Sequence, residues 1–128
     1  MAAATSKKVQ EALARNGVVY VSVTGLAPKG ILAVPRFWWH AVPAKVQADN
    51  AAGALFVEVK TVDSYHHTLT VWEDKKAMLA YMTSGAHKNA MKAFRTIGKG
   101  IVYGYETELV PSWEEALTLL WEKGRVLG

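Results

Sequence analysis

Three of the chain's four histidines and one of its five tryptophans fall in the stretch YHHTLTVWEDKKAMLAYMTSGAHKNAMKAF, residues 65–94. Imidazole is the side chain whose ordinary titration range straddles neutrality, so His66, His67 and His87 are the first candidates for proton transfer or metal ligation. His66 and His67 are neighbours on a strand pattern and must point to opposite faces, so they cannot hold one metal together. His87 recurs with Met91 and Phe94 at helical spacing beside Ala86, Ala90, Ala93 and Ile97. An imidazole placed there suits an axial iron ligand, an acid/base group or a hydrogen-bonded core residue. Trp72 either shapes a pocket or packs under a helix. Lys88, Lys92, Arg95 and Lys99 form the adjoining stripe, which suits an anionic ligand or a plain solvated face. No phosphate loop, dinucleotide fingerprint or carboxylate cluster with metal spacing occurs, so no metal site is expected.

The elements that must position these side chains come from a chain of 128 residues, the size of one domain. Absence of cysteine excludes disulfides, thiolate metal sites and cysteine nucleophiles, and favours a cytoplasmic location. An alanine-rich start with Ser, Thr and Lys leaves an organellar transit remnant open. No stretch is long and apolar enough to span a bilayer, so no membrane partner is expected. The net charge of +4 is mild and spread along the chain. KGIVYGY resembles an RNA-binding strand motif loosely, but it falls on the last strand, so nucleic acid is not the expected partner.

Residues 5–16 read as a short peripheral helix capped by Thr5 or Ser6 and stopped by Gly17. VVYVSVTGL alternates as a first strand. Pro35 opens a helix through RFWWHAVPAKVQADN, which Pro43 should kink or divide. Residues 54–62 and 65–73 form a hairpin across Asp63 and Ser64. Asp74 caps a helix that Ser84 and Gly85 interrupt, GIVYGYETEL is a fourth strand, and Ser112 with Glu115 makes the capping box of a final helix. The order βαββαβ plus a helix predicts a ferredoxin-like α+β fold, with residues 1–17 peripheral, 18–110 the core and 111–128 the C-terminal helix. Helices are expected on one sheet face only, so the other face should pair with a second copy as a homodimer.

Strand parity groups candidate pocket residues. Tyr20, Ser22 and Thr24 share one side of the first strand; His66, Thr68, Thr70 and Trp72 share one side of the third; Tyr103, Tyr105 and Thr107 share one side of the fourth. Together they are expected to line a cavity for a small hydrophobic or aromatic ligand, opposite an apolar face of Val19, Val21, Val23, Leu69 and Val71.

The segment TLTVWEDKKAMLAYMTSGAHKNAM and the element order resemble the dimeric α+β barrel superfamily of antibiotic biosynthesis and haem-degrading monooxygenases. YHHTLTVWED followed by SGAHKNAM is similar to uncharacterised proteins related to spheroidene monooxygenase. The resemblance implies a monooxygenase-like enzyme, with haem or free of cofactor. It implies that Trp72 shapes the pocket and that His87 binds iron or exchanges protons; strand parity adds His66 as a third candidate catalytic group. Ungapped alignment sets Met91 where the haem histidine falls, one turn beyond His87, so both are candidate cofactor contacts. The alternative is a noncatalytic dimeric binding or stress-related module.

Overall fold

Residues 6–127 are described by the computed structural model, the side chain of Arg95 excepted. The alternative cap Thr5 and the Arg95 member of the basic stripe therefore lie outside the described residues. The elements are α1 (Lys7–Asn16), β1 (Val19–Pro28), a 3-10 turn (Ile31–Ala33), α2 (Val34–Asp49), β2 (Ala54–Val62), β3 (Tyr65–Trp72), α3 (Lys75–Met82), α4 (Gly85–Ile97), β4 (Gly98–Thr107), α5 (Trp113–Lys123) and β5 (Arg125–Leu127). The strands form one sheet in the order β2-β3-β1-β4-β5, with every neighbouring pair antiparallel. The first four strands have the ferredoxin-like arrangement, and β5 extends the β4 edge.

Local chemistry explains most of the boundaries. Gly17 takes a left-handed conformation (φ +78°) and its N–H donates to the Leu13 carbonyl at 2.8 Å, closing α1. Asp63 and Ser64 both have positive φ, as a two-residue hairpin turn that matches strand twist requires. Asp74 accepts from the Ala77 N–H at 2.8 Å to cap α3, and Ser112 with Glu115 completes the capping box of α5. Pro43 lies inside α2 without dividing it.

Pairing register decides which side chains share a face. Tyr20 stands opposite Trp72, Ser22 opposite Thr70 and Thr24 opposite Thr68. Across the other edge of β1, Val21 stands opposite Tyr105 and Val23 opposite Tyr103. Tyr103 and Tyr105 therefore share the valine face and not the Tyr20 face. That corrects the single pocket expected from parity, because alternation along a strand leaves its phase against the next strand open until the register is known.

The valine face is the main core. Val19, Val21, Val23, Leu69, Val71 and Ile101 are buried with Val9 and Ala12 of α1 and Ala116 and Leu120 of α5. This overturns two expectations. α1 is a core helix rather than a peripheral one, since Val9 and Ala12 are wholly buried. The sheet face assigned to a second copy is covered by α1 and α5 of the same chain, and the Trp113 indole of α5 donates to the Glu58 carboxylate of β2. The opposite face receives α2, α3 and α4, as the ring contacts Phe37–His66 and Trp72–Tyr81 show.

His67 seals one end of the valine face. It is 1% exposed, its Nδ1 donates to the Thr24 carbonyl at 3.1 Å, and its ring lies over Gly25, its cross-strand partner. A Cβ on Gly25 would stand 2.8 Å from His67 Cε1 and 3.4 Å from a Leu120 methyl. Gly25→Ala should accordingly lower stability by about 1–3 kcal/mol through overpacking. Urea unfolding checks this: the loss should shrink in a His67→Ala background, and an equal loss in both backgrounds would show that the imidazole is not the obstacle.

Candidate functional site

Trp72 ends β3 with its side chain fully buried. Its Nε1–H donates to Thr70 Oγ1 at 2.9 Å, and the Thr70 hydroxyl donates to the Ser22 carbonyl at 3.3 Å. The indole, whose N–H would otherwise be an unpaired buried donor, is thus satisfied within the sheet. Its ring meets Tyr81 of α3 at 5.1 Å between centroids, and Tyr81 meets His87 of α4 at 4.6 Å. Tyr81 donates its phenol to the Ala44 carbonyl of α2 at 3.1 Å. Sheet, α3, α4 and α2 therefore converge on one tyrosine.

His87 Nδ1 donates to the Met82 carbonyl at 3.1 Å, which leaves Nε2 as the acceptor nitrogen. Burial lowers the His87 pKa below the ordinary histidine value, and the bond to Met82 opposes that shift only in part. Burial, with a smaller contribution from Asp49, raises the Tyr81 pKa so that the phenol stays protonated. The arrangement is a neutral imidazole against a neutral phenol.

The side chain that organises this region is Gln47 of α2. Its Nε2 donates to the Ser84 carbonyl at 2.9 Å, to Ser84 Oγ at 3.2 Å and to the Tyr81 carbonyl at 3.4 Å, while its Oε1 accepts the His87 backbone N–H at 2.8 Å. One amide thus adds a donor to the Tyr81 and Ser84 carbonyls, which also accept the Ser84 and Lys88 N–H groups at 3.3 Å, and supplies the acceptor for an N–H in the first turn of α4. Gly85, at φ +55°, makes the bend, and a Cβ there would stand 3.1 Å from Gln47 Oε1. Neither Gln47 nor Tyr81 stands out in the sequence. A glutamine in a helix of mixed polarity carries no motif, and only the interruption at Ser84-Gly85 hinted that something must bridge it.

Two open clefts lie between helices. One, of about 350 Å³, is lined by Gln47, Asn50, Ala51, Ala52, Ala77, Ala80, Tyr81 and Ser84. The other, of about 160 Å³, is lined by Trp39, His40, Pro43, Ala86 and Asn89. Neither is lined by the strand residues expected around a pocket. Tyr20, Ser22, Thr70 and Trp72 do cluster on one face, but Tyr20 and Thr70 are buried, and Tyr103 and Tyr105 are on the far side of the sheet. Thr24 lies on the Tyr20 face, farther along β1. His66 lies six residues from Trp72, roughly 20 Å along the strand, under Phe37 and Trp38 with Nδ1 3.0 Å from Thr61 Oγ1. The trio Trp72, His87 and His66 is thereby divided. His66 and His67 do take opposite faces.

The side chains do not fit haem. His87 presents the tautomer that ligation requires, but its ring packs on Tyr81 and it lines neither cleft. Met91, one turn on, is 38% exposed and lines neither cleft. Among the described residues no group of three or more His, Asp or Glu is placed to hold a metal.

His67 and His87 both have pKa values lowered chiefly by burial, each opposed by a backbone hydrogen bond. The unfolded chain therefore takes up protons first as the pH falls. Their stabilising contribution is complete above about 6.5 and is lost as the pH drops from there through the depressed folded values. His87→Asn keeps a donor for Met82 and removes the titration, so its urea midpoint should fall less than that of the wild type between pH 7.5 and pH 5. Equal falls would show that His87 does not share in the acid destabilisation.

No protein-family model matches the chain, and no curated protein matches it in sequence. Solved structures do match. A dimeric ferredoxin-like protein of unknown function from Jannaschia sp. CCS1 superposes with a TM-score of 0.60 at 18% identity, covering 70% of this chain and 99% of that one. SnoaB from Streptomyces nogalater, a cofactor-independent oxygenase, superposes with a TM-score of 0.54 at 12% identity, covering 74% and 96%. A Nitrosomonas europaea protein classed provisionally as an antibiotic biosynthesis monooxygenase gives 0.55 at 13% identity, covering 68% and 89%. At these identities the likeness is one of architecture: the chain has the ferredoxin-like α+β fold seen in antibiotic biosynthesis monooxygenase-like structures.

Proposed function

We propose that the chain binds a small apolar or aromatic molecule in the cleft between α2 and α3. Tyr81 is the contact surface, and Trp72 and His87 act as positioning residues that hold it. The observation that carries this reading is the double place of Tyr81, which lines the 350 Å³ cleft and is also the shared member of the Trp72–Tyr81–His87 ring series. The volume falls in the range of small-ligand sites, roughly 300–1,000 Å³. Four alanines supply apolar walls, and Gln47, Asn50 and Ser84 supply a few polar atoms. The only lining side chain that titrates is Tyr81, which burial holds protonated and which donates to Ala44. That favours binding over acid/base catalysis by groups in the cleft.

The second reading is oxygenation without a cofactor, favoured by the fold shared with SnoaB. An electron-rich substrate that itself reduces oxygen needs orientation and exclusion of water more than an acid or base from the protein. Self-association comes with the same reading, since one fold neighbour is dimeric. With the sheet face covered, the contact surface we assign is the side bearing the short edge strand β5, where Leu109, Trp121 and Val126 are exposed.

Titration with naphthols, followed by the methyl resonances of Ala77 and Ala80, should give saturable shifts, and the Ala77 shift should disappear in Ala80→Trp, a change at an exposed position that fills the cleft. Oxygen-electrode measurements with the same compounds separate the readings. Uptake lost in Ala80→Trp supports oxygenation, saturable shifts without uptake support a binding protein, and unmoved Ala77 and Ala80 methyls would sink the cleft. Light scattering should show a dimer that Trp121→Ser weakens; a monomer at all concentrations removes the assembly.

A further inference from the structure

α2 is apolar on both sides. Phe37, Ala44 and Ala48 are buried against the protein, and Trp39, Val42 and Val46, at the spacing of one helical stripe, are exposed on the other side. Trp39 is 78% exposed, and the 3-10 turn that leads into the helix exposes Ile31 and Leu32, the latter at 91%. A helix with apolar residues all round is normally covered, and among the described residues the outward stripe stays exposed.

The charge around it is one-sided. From Ala12 to Ala48, and again from Lys75 to Tyr105, the chain contains no Asp or Glu. Arg36 on α2, Lys75 and Lys76 on α3, and Lys88 and Lys92 on α4 are all exposed. Asp49, the one acid of α2, is paired with Lys45 at 2.6 Å, and Asp74 caps α3. The helical carboxylates Glu11, Glu114, Glu115 and Glu122 belong to α1 and α5, on the other side of the sheet.

From this juxtaposition we infer that the layer of α2, α3 and α4 docks on an anionic lipid surface, with Ile31, Leu32 and Trp39 entering the headgroup region and the lysines meeting lipid phosphates. Interfacial helices combine an apolar face, tryptophan and flanking cations in this way. A second copy fits the face poorly, because a two-fold contact sets the basic layer against itself, and the two carboxylates there, Asp49 and Asp74, are already engaged by Lys45 and by the α3 cap. Nucleic acid would meet the lysines but offers no partner for Ile31, Leu32, Val42 and Val46. Among the described residues no helix is long and apolar enough to cross a membrane, so the attachment is peripheral. The inference is independent of the cleft.

Sedimentation with phosphatidylcholine vesicles, with and without phosphatidylglycerol, tests it. The protein should pellet with the phosphatidylglycerol vesicles alone, less so at raised salt, and the double change Leu32→Ser, Trp39→Ser should abolish pelleting. Arg36→Gln, Lys88→Gln and Lys92→Gln should each weaken binding about fivefold, and they test the idea even if the serine variant fails to fold. Failure to pellet, or pelleting unchanged in either set of folded variants, overturns the inference. So does a dimer that Trp39→Ser dissolves, or tighter binding to an oligonucleotide than to the vesicles.

Discussion

The region that gives this protein its candidate site depends on one carboxamide. α3 and α4 are a single helical course interrupted at Ser84-Gly85, where the Tyr81 and Ser84 carbonyls keep only 3.3 Å bonds from the backbone and the His87 N–H needs an acceptor from elsewhere. Gln47 supplies a donor to the first and an acceptor to the second. Because Gln47 belongs to α2, the repair also fixes where α2 lies. The Tyr81 phenol reaches the Ala44 carbonyl from the same junction, and the imidazole of His87 is turned onto the Tyr81 ring. The cleft and the ring series are two results of one helix being held against the break in another.

Much of the fold was legible because local signals agreed with one another. The β1 valine alternation, the Asp63-Ser64 turn, the Asp74 cap and the Ser112–Glu115 box each have a short-range physical cause that is visible in the residues alone. Relations between distant segments were not legible. Tyr103 and Tyr105 were grouped with Tyr20 because each strand alternates. Alternation has two phases, however, and only pairing Val21 with Tyr105 shows which one applies. His66 and Trp72 have the same parity and so share a face, but parity says nothing of the six-residue interval that separates them along it. Tyr81 and Gln47 were invisible for a related reason: their roles arise from contacts with elements far away in the chain.

The covered sheet face is the largest departure from expectation. α1 shows only Val9 and Leu13 at helical spacing and reads as a surface helix, yet Val9 and Ala12 lie wholly buried against the β1 valines. Alanine carries little apolar signal in a sequence but permits close approach, so a helix whose inner face includes Ala12, or Ala116 in α5, looks weaker than it packs. The two terminal helices thereby take the place that a second subunit's sheet was expected to fill. The four-stranded plan is shared with a dimeric ferredoxin-like structure, and α1 and α5 change what one chain can bury by itself.

The strand order also governs how such a chain reaches its folded form. β2 and β3 join through a two-residue turn and can pair as soon as both exist, whereas β1 waits for β3 and then for β4, whose partner residues stand near the opposite end of the polypeptide. Pairings of long sequence separation close slowly, since the intervening chain must lose its freedom before the contacts reward it. α5 and β5 follow β4 in the chain. During synthesis the valine side of β1 therefore stays uncovered by α5 until Trp113–Lys123 has emerged, and the nascent chain passes through an interval in which it is at its most adhesive.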